Sequence, residues 1–127
     1  MDNQLETIRE IWISAFFTGD YDVLRQYEHD HFKVVYEEDG RVEGNYTRYD
    51  RIAHAVNNGV WKPQKLDIDI EEYTYNREQT ECEILLGLED RPHYIREIWQ
   101  DTDNGWQIIE LRFLKTQAVE TEESTCG

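Results

Sequence analysis

Four polar residues in the first and last thirds of the chain have side chains suited to acid and base chemistry. His31 can exchange a proton near neutral pH, and Arg96 can hold an anion. Tyr27 and Tyr36 add two phenol hydroxyls that could bond a substrate. If the fold brings the four together at the mouth of a pocket, His31 would serve as acid or base and Arg96 would bind a negative group. The candidate catalytic residues are therefore His31, Tyr36, Arg96 and Tyr27.

Metal and cofactor chemistry find less support in the sequence. His29, Asp30 and His31 could offer metal ligands, but no third ligand can be placed beside them, and solvent-exposed histidines are the simpler interpretation. The chain has no glycine-rich phosphate loop, no Cys-X-X-Cys and no nucleophile elbow. We expect neither a metal nor a cofactor.

Charge restricts the possible partners. The net charge of −15 comes from 28 acidic against 13 basic residues, so phosphates of nucleic acids and anionic membranes would be repelled. We expect a neutral or basic partner. The alternative is that the acidity only aids solubility or reflects a salty habitat.

Length and composition favour one domain. The 127 residues, 39% of them hydrophobic, can fill a single core, and we place that domain at residues 1–115. Residues 116–127 predict an acidic, disordered tail. Cys82 falls in a predicted strand and reads as a core residue. The polar start Met1-Asp2-Asn3 does not resemble a signal peptide, which leaves the cytoplasm as the expected location.

Periodicity predicts three helices and six strands. Helix one follows an Asn3 cap and ends at Gly19, Asp20 caps helix two, and Thr47 caps helix three. The first two strands form a hairpin over residues 32–44. Strands three and four show clear alternation: Leu66, Ile68 and Ile70 against Asp67, Asp69 and Glu71, then Cys82, Ile84, Leu86 and Leu88 against Glu81 and Glu83.

The last two strands meet at Asn104-Gly105, which predicts a two-residue type I′ turn. Counting back from that turn places Ile98 opposite Leu111 and Glu97 opposite Arg112. We expect the core face to carry Tyr94, Arg96, Ile98, Ile109, Leu111 and Phe113, and the outer face to carry Ile95, Glu97, Trp99, Ile108, Glu110, Arg112 and Leu114. On the core face Arg96 would need a partner or a water-filled pocket.

With this register, the outer face of the late strands is acidic and contains aromatic residues. Such a surface could bind a strongly basic protein, for example a nuclease toxin whose own groove must be blocked. The alternatives are a solvated face or the contact of a homodimer. The candidate partner-binding residues are Asp67, Asp69, Glu71, Tyr73, Glu81, Glu83, Glu97, Trp99 and Glu110.

Four features of the chain are found together in one known group of proteins. They are the element order, the segment Trp12 to Asp20, the hairpin over residues 32–44 and the closing strand from Gly105 to Ile108. In these features the chain resembles the nuclear transport factor two-like superfamily. This resemblance implies an α+β cone, in which a curved antiparallel or mixed sheet of about six strands packs against three helices around a pocket. In the ketosteroid isomerases of this group a carboxylate base lies late in the first strand, where Tyr36 stands here. Glu97 falls near the position of their second, protonated acid.

Two functions from different classes follow. The first is a non-enzymatic acidic binding protein, most concretely an immunity or antitoxin-type inhibitor of a basic protein. The second is a SnoaL-like or isomerase-like enzyme that binds a small cyclic ligand in the cone without a cofactor. The missing carboxylate at Tyr36 favours the first.

Overall fold

The computed structural model describes residues 4–63, 68–88 and 91–115. The predicted order of elements is confirmed: two helices, a hairpin, a third helix and four further strands. They are α1 (Gln4–Thr18), α2 (Tyr21–Tyr27), β1 (Glu28–Tyr36), β2 (Arg41–Gly44), α3 (Asn45–Asn57), β3 (Ile70–Tyr75), β4 (Glu81–Leu88), β5 (Arg91–Thr102) and β6 (Gly105–Phe113). No helix in these ranges is both long and apolar enough to cross a membrane.

The six strands form one open sheet in the order β2-β1-β6-β5-β4-β3. Every neighbouring pair is antiparallel except β1 and β6, which run parallel, so the sheet is mixed. The three helices pack on one face and enclose a core that includes Leu5, Trp12, Leu24, Phe32 and Ile52. The predicted α+β class with a curved sheet is thus confirmed.

Helix α1 ends where the sequence predicts. Gly19 has φ +75°, a conformation that other residues rarely adopt, and the backbone N–H of Asp20 then bonds the carbonyl of Ala15 at 2.8 Å. Asp20 caps α2 through its side chain, which accepts from the N–H of Val23. Helix α3 differs from prediction, since it begins at Asn45 after Gly44 rather than after a Thr47 cap. The predicted cap Asn3 lies outside the described residues.

The β5–β6 hairpin is correctly located, but its turn is shifted by one residue. Thr102 pairs with Gly105, so the two turn residues are Asp103 and Asn104. A type I′ turn needs a positive φ at both turn residues. Among the non-glycine residues that the structure describes, only Gln79 has a positive φ, so Asp103 and Asn104 do not form this type of turn. Gly105 instead takes the left-handed conformation, with φ +92°.

A bulge between Ile98 and Trp99 shifts the β5–β6 register again. Glu97 consequently pairs with Leu111, and Ile98 with Glu110. The predicted core face was therefore wrong around this bulge: Ile95, Glu97 and Trp99 are buried against the helices, whereas Ile98 lies on the outside. Tyr94, Leu111 and Phe113, which were also predicted for the core face, do pack against the core. A shift of one residue reverses every side chain of a strand.

Strand β4 has the predicted orientation, with Cys82, Ile84 and Leu86 buried. Strand β3 does not, because it begins at Ile70 and pairs Glu71 with the buried Leu86. Glu71 therefore turns toward the helices, although Asp67, Asp69 and Glu71 were all predicted to lie on the outer face. Asp67 and the predicted tail at 116–127 lie outside the described residues.

Candidate functional site

A cavity of about 770 Å³ lies between the helices and the inner face of the sheet. Its wall is mostly apolar and aromatic, and several charged side chains reach it. Its rings and aliphatic side chains include Trp12, Phe16, Tyr36, Ile52, Trp61, Tyr94, Ile95, Leu111 and Phe113. The charged side chains that reach it are Arg9, Arg48, Arg51, Glu71 and Glu97. A volume of about 300–1,000 Å³ with few polar groups is typical of small-molecule sites.

The first polar cluster of the cone joins α1 to β5. Arg9 donates from Nε and Nη2 to the two oxygens of Glu97, at 2.7 and 2.8 Å, and the indole N–H of Trp99 donates to Glu97 at 2.7 Å. Arg9 Nη1 also lies 3.4 Å from a carboxylate oxygen of Glu71. Burial alone would lower the pKa of Arg9, but the hydrogen bond and charge of Glu97 raise it overall. Arg9 therefore stays charged.

The second polar cluster lies at the start of β1, around Glu28. This carboxylate is 2% exposed and accepts three hydrogen bonds, from Trp12 Nε1 at 2.9 Å, Arg48 Nη1 at 2.9 Å and the Tyr49 hydroxyl at 2.7 Å. Burial raises the pKa of Tyr49, and the charge of Glu28 adds to the rise. Tyr49 is therefore a stable donor, and Glu28 has its negative charge compensated within the core.

A third group surrounds Tyr36 at the end of β1. The Tyr36 ring stacks on Phe113, with centroids 5.2 Å apart and planes at 7°. The Arg41 guanidinium lies 4.1 Å from the centroid of the Tyr36 ring. Arg51 donates two hydrogen bonds to Glu43, at 2.8 and 2.9 Å. Burial raises the pKa of Tyr36 and Glu43 adds to this, so the phenol keeps its proton at neutral pH. Tyr36 is a fixed hydrogen-bond donor facing the cavity.

The four candidate catalytic residues are not brought together. Tyr36 lines the cavity, and Tyr27 packs against the core. His31 lines a shallow depression on the other side of the sheet, together with His29 and Lys33. Arg96 pairs with Leu85 in the register, away from the cone, and forms an ion pair with Glu83. The expected cluster at one pocket mouth is thus corrected, and the expected position of Arg96 beneath the sheet was wrong.

The candidate partner-binding residues divide between two faces. Glu97 and Trp99 are buried, Glu71 reaches the cavity, and Tyr73 packs against the core. The remaining described members, Asp69, Glu81, Glu83 and Glu110, stay outside the cone. Two of these are compensated, since Glu83 pairs with Arg96 and Glu110 with Arg112. The outer face therefore carries less unpaired negative charge than the sequence predicted.

Residues that could hold a metal do not converge. In the described ranges, no three His, Cys, Asp or Glu side chains lie close enough to bind one ion. His29 and His31 do lie side by side, with ring centroids 5.5 Å apart, but His29 Nδ1 accepts the backbone N–H of His31.

Sequence reasoning missed Arg9, Glu28 and Arg48. A pattern did exist: Arg9 follows Leu5 by four residues and precedes Trp12 by three, so it falls on the apolar stripe of α1. Arg48 precedes Ile52 by four in the same way on α3. A charged residue on a buried stripe requires a buried partner, although the sequence does not say which.

Known structures share this architecture. No family model matches the chain, and no curated protein matches it. An NTF2-like protein of unknown function in nutrient uptake from Rhodospirillum rubrum is 19% identical, with a TM-score of 0.67 over 92% of this chain and 100% of that one. A ketosteroid isomerase-like protein from Shewanella frigidimarina is 14% identical, with a TM-score of 0.60 over 85% and 92%.

The association domain of CaMKII from C. elegans is 9% identical, with a TM-score of 0.65 over 89% of this chain and 94% of that one. Identities this low establish the fold alone. The chain has the NTF2-like fold, as the sequence resemblance implied.

Proposed function

We propose that this protein binds a small, largely apolar cyclic molecule in the cone. The observation that carries the proposal is the cavity of about 770 Å³, in which aromatic walls surround a few fixed polar groups. Trp12, Trp61 and Phe113 supply flat apolar surface, and Tyr36 supplies a protonated hydroxyl. A ring system can pack against such walls while one polar substituent bonds the phenol.

The state of the two most buried carboxylates, Glu28 and Glu97, favours binding over catalysis. Glu28 accepts from three side chains, and Glu97 accepts from both Arg9 nitrogens and from Trp99. A general base needs a free lone pair within reach of the substrate proton, and a carboxylate held by three donors is poorly suited to that role. Neither Glu28 nor Glu97 is therefore placed to act as the base of an isomerase, which favours a cone that binds its ligand without transforming it.

The test measures the binding of the probe 1-anilinonaphthalene-8-sulfonate by calorimetry and by fluorescence. We expect saturable binding of one probe per chain. Leu111→Trp should abolish it, because Leu111 lines the cavity and a larger ring would fill it. Ile98→Trp is the matched control, since Ile98 lies on the opposite face of the adjacent strand. Equal loss in both variants, or no binding by the folded wild type, would refute the proposal.

A second candidate is the acidic inhibitor of a basic protein, such as a nuclease toxin. The net charge of −15 supports it, together with exposed acids just before β3, on β3 and at the start of β4, namely Asp69, Glu72 and Glu81. Capture of a basic protein that weakens as salt rises, and is lost on changing these three acids to lysine, would favour it. Leu111→Trp should leave that capture intact. A wild-type chain that captures no basic protein at low salt would exclude it.

A further inference from the structure

The strand register places five cavity-lining residues in one row across the sheet. Tyr36 pairs with Phe113, Phe113 with Ile95, Ile95 with Leu86, and Leu86 with Glu71. All five side chains line the cavity. The row thus begins at a phenol, crosses three apolar residues and ends at a carboxylate. The four spacings between neighbouring strands, each about 4.8 Å, place the backbones at the two ends of the row about 19 Å apart across the sheet. The side chains point inward from a concave sheet, so their ends lie closer together than that.

The Tyr36 end of this row is electropositive. Arg48 and Arg51 line the cavity together with Tyr36, and the Arg41 guanidinium lies 4.1 Å from the Tyr36 ring centroid. Glu43 is shared, because Arg51 bonds it at 2.8 Å and Arg41 Nη1 lies 3.6 Å from it.

Glu28 neutralises Arg48, to which it is bonded at 2.9 Å, so the balance at this end is Arg41 and Arg51 against Glu43, an excess of one positive charge. Asp39 lies 4.0 Å from Arg41, and the side chains of Asp39 and Arg41 are 62% and 54% exposed, so water screens this pair and Asp39 offsets the excess only weakly. This end of the cavity therefore suits a negative group that also accepts a hydrogen bond.

The Glu71 end is electronegative. Arg9 is the shared cation of two carboxylates, with two short bonds to Glu97 and a longer contact of 3.4 Å to Glu71. One positive charge therefore faces two negative charges. The Glu71 side chain is 45% exposed and reaches the cavity, so it remains accessible to a ligand. This end suits a hydroxyl or another donor and disfavours an anion.

We infer that the ligand of the cone is an elongated aromatic or polycyclic acid, with its anionic group at Tyr36 and a hydrogen-bond donor at Glu71. This inference rests on the proposed function and adds a direction to it. The apolar middle of the row, from Phe113 through Ile95 to Leu86, contacts the rings. The opposed charges at the two ends fix which way the molecule lies.

Four biphenyls test the direction by calorimetry at neutral pH. The probes are 4′-hydroxybiphenyl-4-carboxylate, biphenyl-4-carboxylate, 4-hydroxybiphenyl and biphenyl-4,4′-dicarboxylate. We expect the hydroxy acid to bind about tenfold more tightly than either probe with one substituent, since each end adds one hydrogen bond. The dicarboxylate should bind more weakly than the monocarboxylate, because its second anion would face Glu71 and Glu97.

Two conservative variants assign the ends. Tyr36→Phe keeps the ring stacked on Phe113 and should weaken the hydroxy acid about tenfold. Glu71→Gln should reduce the difference in affinity between biphenyl-4-carboxylate and biphenyl-4,4′-dicarboxylate. Glu72→Gln is the matched control for Glu71, because Glu72 pairs with Leu85 on the other face and should change neither affinity.

The outcomes separate this inference from the proposed function. Equal affinity for all four biphenyls, or a preference for the dicarboxylate, would overturn the direction while leaving the cavity as a binding site. Binding of none of them, together with no binding of the anilinonaphthalene probe, would overturn both. The predicted order, with the separate effects of Tyr36→Phe and Glu71→Gln, would support both.

Discussion

Trp12 and Trp99 meet edge to face, with ring centroids 5.6 Å apart and planes at 88°, and their indole N–H groups bond different buried carboxylates. Trp12 donates to Glu28 and Trp99 donates to Glu97. The contact therefore joins the two polar clusters of the cone through an apolar pair. Each cluster also ties a helix to a strand, so the ion pairs help to hold the cone open around its cavity.

Breaking one ion pair should cost much of the folding stability. Arg9→Met leaves the Glu97 carboxylate buried without its cation, which should lower the free energy of unfolding by about 3–5 kcal/mol. The double variant Arg9→Met with Glu97→Leu should recover part of that loss, because no buried charge remains unpaired, while the buried Trp99 N–H loses its acceptor. Urea denaturation of the two variants measures both effects. A single variant as stable as the wild type would show that the pair is not buried as described.

Gly19 should tolerate no side chain. A Cβ there would lie 2.5 Å from Val56 Cγ2 and 3.0 Å from Trp61 Cδ1, and φ is +75°. Gly19→Ala should therefore destabilise by about 2–4 kcal/mol and move Trp61, a cavity residue. Gly40→Ala is the matched control, because Gly40 has φ +71° but no atom within 4 Å. It should cost only the backbone strain, about 1–2 kcal/mol. If thermal unfolding shows an equal loss of stability in Gly19→Ala and Gly40→Ala, the close contacts at Gly19 are unimportant.

Cys82 should be inert to alkylation in the folded protein. Its side chain is fully buried, and burial raises the pKa of the thiol to about 11. At pH 8 the reactive thiolate is scarce and inaccessible. Iodoacetamide followed by peptide mass mapping should show Cys82 unmodified until denaturant is added. Rapid modification in buffer would contradict the buried position.

Acid should weaken the region around Glu43. Its hydrogen bond to Arg51 lowers the pKa of Glu43 below the ordinary 4.5, against the opposing effect of burial. Because the folded pKa is the lower one, the stabilisation is present above the ordinary value and disappears as the pH falls through the folded pKa. Glu43→Gln should therefore flatten the decline in unfolding free energy below about pH 5. An unchanged slope would count against this ion pair.

The layers of the fold could be predicted because they depend on local periodicity. The alternation of Cys82, Ile84 and Leu86 identified the buried side of β4, and Gly19 marked the end of α1. The site could not be predicted in the same way, because the face of Glu97 depends on where one turn begins and on one bulge. The partner of Arg9 lies 88 residues away, and no local pattern encodes that pairing.

The central claim is that the cone cavity binds the ligand, and indole N–H chemical shifts test it most directly. In a titration with 1-anilinonaphthalene-8-sulfonate followed by ¹H–¹⁵N correlation spectra, the indole signals of Trp12 and Trp61 should shift together to saturation, since both line the cavity. Trp106 contacts Tyr75 away from the cavity lining and should not move. Shifts confined to Trp106, or none at a saturating probe concentration, would contradict a binding site in the cone.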